Sequence, residues 1–247
     1  EGDGLALARA LAETIGGSVV EHRRFLTASV RTGDQRVDIA TSRAERYEAP
    51  GALPRVIPAG IAQDLGRRDF TVNAMAVELG SGSFDLLDPL SGRVDFGRRR
   101  LRVLHPLSFV EDPTRVFRAA RYAARLGFAE DAWTARARAL ALERVPYPAL
   151  SPQRVAAELM RVMSEDRAHI ALRRLGGGGG LRLLDPRYRF TAAARRRVEA
   201  LPATLGWARA RGLAVSGFEV AALALVADQR REAHADAGPN TPDVDRA

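Results

Sequence analysis

A chain of 247 residues, 46% apolar but only 6% aromatic, has room for one large domain or two modest ones packed chiefly by aliphatic side chains. Its formal charge is +8 and all 38 basic residues are arginine, which suits a polyanionic partner or a GC-rich coding sequence. Because the sequence has no cysteine, disulfides, thiolate zinc sites and cysteine nucleophiles are excluded.

In chain order, residues 5–15 carry apolar positions at helical spacing and stop at Gly16-Gly17. Three β-like pieces follow at Ser18–Val20, Phe25–Val30 and Arg36–Ala40, with a turn predicted at Thr32-Gly33-Asp34. Residues 47–60 hold three prolines and two glycines and read as a loop. Residues 70–79 have the character of a strand or a buried helix. Phe84–Asp88 reads as a short strand ended by the turn at Pro89 and Gly92.

From Ser108 the pattern becomes helical. Residues 113–126 predict a strong helix, with Pro113 in its first turn and Gly127 as its stop. Residues 152–163 predict another, with Ser151 as N-cap. Gly176–Gly180 reads as a flexible break between helices, and the last eleven residues as a disordered tail. The four histidines (His22, His105, His169, His234) lack metal-ligand spacing. No apolar run approaches the roughly 18 residues of a membrane span, and no secretory leader pattern is present, so a soluble cytoplasmic protein is expected.

Residues 111–125, EDPTRVFRAARYAAR, bear the most chemistry. Continued as a helix, Asp112, Arg115, Arg118 and Arg121 recur every three residues along one side, while Phe117, Ala120 and Ala124 form a core face. An acceptor carboxylate one turn from a donor guanidinium is a hydrogen-bonding template. Asp112 accepts from an exocyclic amine and Arg115 donates to the adjacent ring nitrogen. Cytosine and adenine offer that pair; guanine and uracil offer the reverse, and each mismatched buried group costs about 1–3 kcal/mol. Arg118 and Arg121 lie further along, in the direction of a triphosphate. The competing reading is a solvated arginine face.

Four segments occur in one order: VDIATSRAER at 37–46, RRDFTVNAMA at 67–76, Asp88-Pro89 with Ser91-Gly92 and Asp95, and EDPTR at 111–115. Together they resemble the class II tRNA nucleotidyltransferase and bacterial poly(A) polymerase family, over roughly residues 36–128. The resemblance implies template-independent addition of nucleotides to an RNA 3′ end with Mg²⁺, a reaction that depends on positioning and charge neutralisation. It assigns Arg68 to the nucleotide sugar or phosphates, Asp112 and Arg115 to the base edge, and Arg118 and Arg121 to base or phosphate contacts. Asp69 and Asn73 brace the site, with Glu111 and Arg43 in support. The implied partners are the tRNA 3′ end, ATP and CTP.

The implied fold is α+β. An incomplete, polymerase-β-like mixed-sheet head (residues 1–107) is followed by a helical neck with the base-recognition helix (108–165) and a helical body and tail (166–247). The family's G-G-x-V-R-D stretch and the D-x-D pair that holds its metals have no counterpart here. Residues 1–4 resemble the segment just after the D-x-D strand. The expectation is a chain that begins beyond those motifs, or a degenerate paralogue that binds RNA without catalysis; either way, this chain alone transfers nucleotides poorly. Asp38, on a strand, is the candidate for a third metal-facing carboxylate, against a salt bridge to Arg43 or Arg36. The long loop after Arg43 and the run RVLHPLSFVEDPTR at 102–115 lean towards A addition or full CCA addition, with poly(A) synthesis as an alternative. Arg195–Arg197, Arg209 and Arg211 are candidates for an RNA-facing surface.

Overall fold

The computed structural model describes residues 1–80 and 82–228. The predicted tail and His234 lie outside the described residues. The chain divides into two compact units. One comprises residues 1–112 with 130–137, the other residues 113–129 with the described residues from 138 onward. The division falls inside the EDPTR stretch.

In the first unit, helix α1 (Gly4–Thr14) starts at Asp3, whose carboxylate accepts from the Leu5 and Ala6 amides at 2.9 and 3.0 Å. Strands β1 (Ser18–His22), β2 (Thr27–Thr32) and β3 (Gln35–Ala40) form an antiparallel sheet in that order. The turn between β2 and β3 has Gly33 at φ +53°, where glycine alone is unstrained. Ala8 and Ala12 of α1 pack on Ala28 and Val30 of β2, joined by Leu5, Leu11, Val19 and Ile39. Side chains alternate across a strand, so Ser29 and its register partner Asp38 lie on the face away from α1.

The predicted loop at 47–60 contains a strand. β4 (Arg43–Arg46) pairs antiparallel with β5 (Arg55–Pro58), which ends at Pro58 opposite Arg43. A proline without an N–H is tolerated at the end of an edge strand, so the prolines delimit β5. The 70–79 segment is also not one element. Phe70 bridges Val103, Thr71–Asn73 make a 3₁₀ turn, and only Ala76–Val77 (β6) pairs, with Leu86–Leu87 (β7). Phe70, Ala74, Leu65, Leu101, Val103 and Phe109 are further buried core residues of this unit, with the Phe70 and Phe109 rings edge to face at 6.4 Å.

The DP-x-x-G-x-x-D turn is locked onto this core. Asp88 caps helix α3 (Gly92–Gly97) by accepting from the Gly92 and Arg93 amides at 2.6 and 2.9 Å. Gly92 lies so close to the Thr71 carbonyl that a β-carbon would overlap it. Asp95 is buried and accepts from the Thr71 hydroxyl at 2.8 Å and Arg102 Nε at 2.7 Å. Gly92 and Asp95 thus hold α3 against the Thr71–Asn73 turn, while Asp88 fixes the start of α3.

The second unit is helical. α5 (Thr114–Leu126) buries Val116, Phe117, Ala119, Ala120, Ala123 and Ala124, and ends where Gly127 turns left-handed at φ +68°. It packs against α7 (Pro152–Met163) and α8 (Ala168–Gly177), and α8 packs on α9 (Ala192–Ala210), which is clasped by α10 (Gly217–Val226). Ser151 caps α7. The glycine run is not a loose connection. α8 continues to Gly177, and Gly176 and Gly180 are buried where a β-carbon would meet the Phe190 ring and the Leu175 side chain, each at 2.5 Å.

Candidate functional site

In the first unit, RRDFTVNA is built around Asp64, which sequence reasoning did not single out. Helix α2 (Ile61–Gly66) buries its carboxylate. Asp64 Oδ1 accepts from the Arg43 amide at 3.2 Å and from Arg67 Nε and Nη2 at 3.0 and 2.7 Å; Oδ2 accepts from Arg68 Nη2 at 3.0 Å. Burial pushes the Asp64 carboxyl up, but hydrogen bonds and charge from Arg67 and Arg68 outweigh it and hold it below the usual carboxylate value. Arg67 also reaches Glu45 Oε1 on β4 at 2.6 Å, and the Tyr47 hydroxyl donates to Glu45 Oε2 at 3.0 Å. Arg43 joins the same cluster, 3.3 Å from Glu45 and bonded to the Phe25 carbonyl; burial, then the charge of Arg67, lowers its pKa against the pull of Glu45.

The cluster sets three guanidiniums (Arg43, Arg67, Arg68) against two carboxylates (Glu45, Asp64). The surplus positive charge falls to Arg68, whose side chain is 42% exposed while those of Arg43 and Arg67 are 12% and 17% exposed. A second Arg68 N–H donates to the Asn73 carbonyl at 3.3 Å. Asp69 and Asn73 are brought together: the Asn73 amide donates to Asp69 Oδ1 at 3.0 Å, and that oxygen also takes the Phe70 N–H. The Asp64 signal was present in the sequence, since an acid three and four residues before two arginines is the spacing of helical ion pairs.

Glu111 closes the short helix α4 (Ser108–Glu111). Its carboxylate lies 3.4 Å from His105 Nε2, and its carbonyl accepts from Gly51 N–H at 3.1 Å. Asp112 is not on a helix with Arg115, contrary to the stripe expected from the sequence. It is extended, at φ −130° and ψ 92°, because the residue before a proline is driven out of the α region, and α5 begins only after Pro113. The acceptor and the donor expected from the sequence to read a base therefore belong to different elements.

In the second unit, Arg115 is buried at the start of α5. Arg118, Arg121 and Arg125 surround the Tyr122 ring at 5.5–5.8 Å. Arg121 is not a solvated stripe residue. It is drawn to Glu165 at 3.0 Å and Glu158 at 3.8 Å, carboxylates that are themselves buried. In the arginine run on α9, Arg195 pairs with Glu199 at 3.0 Å, and Arg197 grips Asp228 with two N–H groups at 3.0 and 2.7 Å. Arg209 and Arg211 are exposed, with Arg211 over the Trp207 ring at 4.4 Å.

Asp38 is 63% exposed and held by the Ser29 hydroxyl at 2.5 Å and Arg36 Nε at 2.8 Å; both hydrogen bonds lower its pKa. The partner is Arg36, not Arg43. Among the described residues no group of three or more histidines and carboxylates converges in the way a metal ion requires. Among those residues also, no helix is long and apolar enough to cross a membrane.

With this geometry in view, residues 1–102 match the poly A polymerase head domain family. An A-adding tRNA nucleotidyltransferase of Geobacter sulfurreducens is 41% identical over 188 residues, 75% of this chain and 21% of that protein. A CCA-adding enzyme in its apo form superposes with a TM-score of 0.82 at 30% identity, over 98% of this chain and 58% of the other. A tRNA nucleotidyltransferase complexed with a primer tRNA and an incoming ATP analogue gives a TM-score of 0.74 at 29% identity, over 94% of this chain and 67% of that one. Residues 1–102 thus carry a poly A polymerase head domain, and the chain, an α+β head portion followed by a helical portion, is similar over most of its length to tRNA nucleotidyltransferases. It spans between about a sixth and a half of the length of the curated relatives it matches.

Proposed function

We propose that the protein to which this chain belongs adds nucleotides, the terminal A or the full CCA, from ATP and CTP to the 3′ end of cytoplasmic tRNA without a nucleic acid template. The observation that carries this reading is the Arg68 guanidinium, an exposed cation anchored to the buried Asp64 carboxylate and carrying the surplus charge of its cluster. An anchored guanidinium offers forked donors to phosphate or sugar oxygens at little further entropic cost. The relatives named as tRNA nucleotidyltransferases, and the related structure holding a primer tRNA and an ATP analogue, support the substrate class.

In this reading Asp112 and Arg115 read the base. The Asp112 carboxylate accepts from the N4 or N6 amine of cytosine or adenine, and Arg115 donates to N3 or N1. Guanine and uracil meet acceptor with acceptor and donor with donor. Asp69 and Asn73 hold the turn against which Arg68 is tethered, and Arg118 adds positive potential along α5, whereas Arg121 is engaged by Glu158 and Glu165.

The base-reading role is tested by Asp112→Asn, whose amide can present either a donor or an acceptor. The preference for ATP and CTP over GTP and UTP in equilibrium binding is expected to shrink by about tenfold or more, the worth of one buried mismatch. An unchanged preference, with binding intact, overturns it.

A further inference from the structure

We propose that Asp64 is a positioning residue of the nucleotide site: its buried carboxylate sets the direction of the Arg68 guanidinium, while Arg67 serves as the bridge that ties this carboxylate to Glu45 on β4. The inference rests on the reading that Arg68 binds nucleotide. It assigns unlike roles to two adjacent arginines that the sequence alone presents as equivalent.

The geometry separates them. Arg67 spends its donors inward, on Asp64 Oδ1, Glu45 Oε1 and the Arg43 carbonyl, with its side chain largely buried. Arg68 is tethered at one edge by Asp64 Oδ2 and the Asn73 carbonyl and is otherwise the exposed member. The two Asp64 oxygens are divided between these tasks, one facing the bridge and one facing Arg68. The charged form of Asp64 is favoured by the very groups it organises. A long arginine held at one edge loses few rotamers when it meets an anion, whereas a loose one must be ordered by the ligand itself.

Because both ends of the cluster share one carboxylate, neutralising Asp64 loosens Arg68 without altering the nucleotide-facing group itself. The probe is ATP, measured by equilibrium dialysis with labelled nucleotide on the chain as it stands, and folding is followed by circular dichroism. Arg68→Ala is expected to weaken ATP binding. Asp64→Asn is expected to weaken it by about 10- to 100-fold, the scale of a misplaced contact group. In the Arg68→Ala background, Asp64→Asn should add almost nothing, because the two act in series.

Should Asp64→Asn fail to fold, Asp64→Glu takes its place. It keeps the charge, moves the oxygens outward by one methylene, and is expected to weaken ATP in the same non-additive way. If Arg68→Ala leaves ATP binding unchanged, the nucleotide reading of Arg68 falls and this inference with it. If Arg68→Ala weakens binding but the Asp64 variants do not, or weaken it equally with and without Arg68, the functional reading stands and Asp64 is structural only.

Discussion

Gly176 lies where a β-carbon would stand 2.5 Å from the Phe190 ring, whereas Gly177, the next residue, has nothing within 4 Å. Five consecutive glycines look alike in a sequence, and only packing tells them apart. Gly176→Ala is expected to destabilise by about 1–3 kcal/mol through overpacking. Gly177→Ala should be neutral or stabilising by up to about 1 kcal/mol, since alanine is the better helix former. Urea midpoints of the two variants check this, and equal effects would contradict the close contact at Gly176. Arg121 makes the same point for charge. Its place in an arginine series suggested solvent or phosphate, but its surroundings, Glu158 and Glu165, come from sequence positions some forty residues away.

At the scale of elements, periodicity and caps were legible wherever the forces are local. Residues 113–126 gave α5 almost to the residue, because an alanine-rich face, a first-turn proline and a glycine stop all act within the segment. The same proline defeated the extension of that helix back to Asp112 through its steric effect on the preceding residue. β5 was missed because two prolines obscured a short strand that exists only by pairing with β4. The docking of α10 is likewise tertiary: the half-buried phenol of Tyr188, in the segment before α9, donates to the Leu225 carbonyl at 2.9 Å. Burial chiefly, with Asp228 assisting and Arg197 opposing, pushes this phenol up to about 12. A group whose folded pKa exceeds its unfolded value, about 10 for tyrosine, contributes stability that is complete below that value. This contribution disappears as the pH rises from about 10 towards about 12. Tyr188→Phe should flatten that part of the stability–pH curve, and an unchanged alkaline slope would show that Tyr188 does not carry it.

Across the whole molecule, the four family-like segments could be read in order because each is a short run of residues close together in the chain. Asp88, Gly92 and Asp95 fit that description, and the structure explains each of them by its contact with the Thr71–Asn73 turn or the start of α3. Asp64 and Glu45 did not stand out, because their task is to join β4 to α2 and to the arginines beyond it. What distinguishes a nucleotide site from a basic surface is then base preference, since an arginine-rich face binds any triphosphate through its charge.

The most direct measurement is competition among ATP, CTP, GTP and UTP for the unaltered chain, at fixed ionic strength. The account predicts that ATP and CTP displace a labelled ATP probe at clearly lower concentrations than GTP and UTP. Equal displacement by all four would contradict a base-reading nucleotide site.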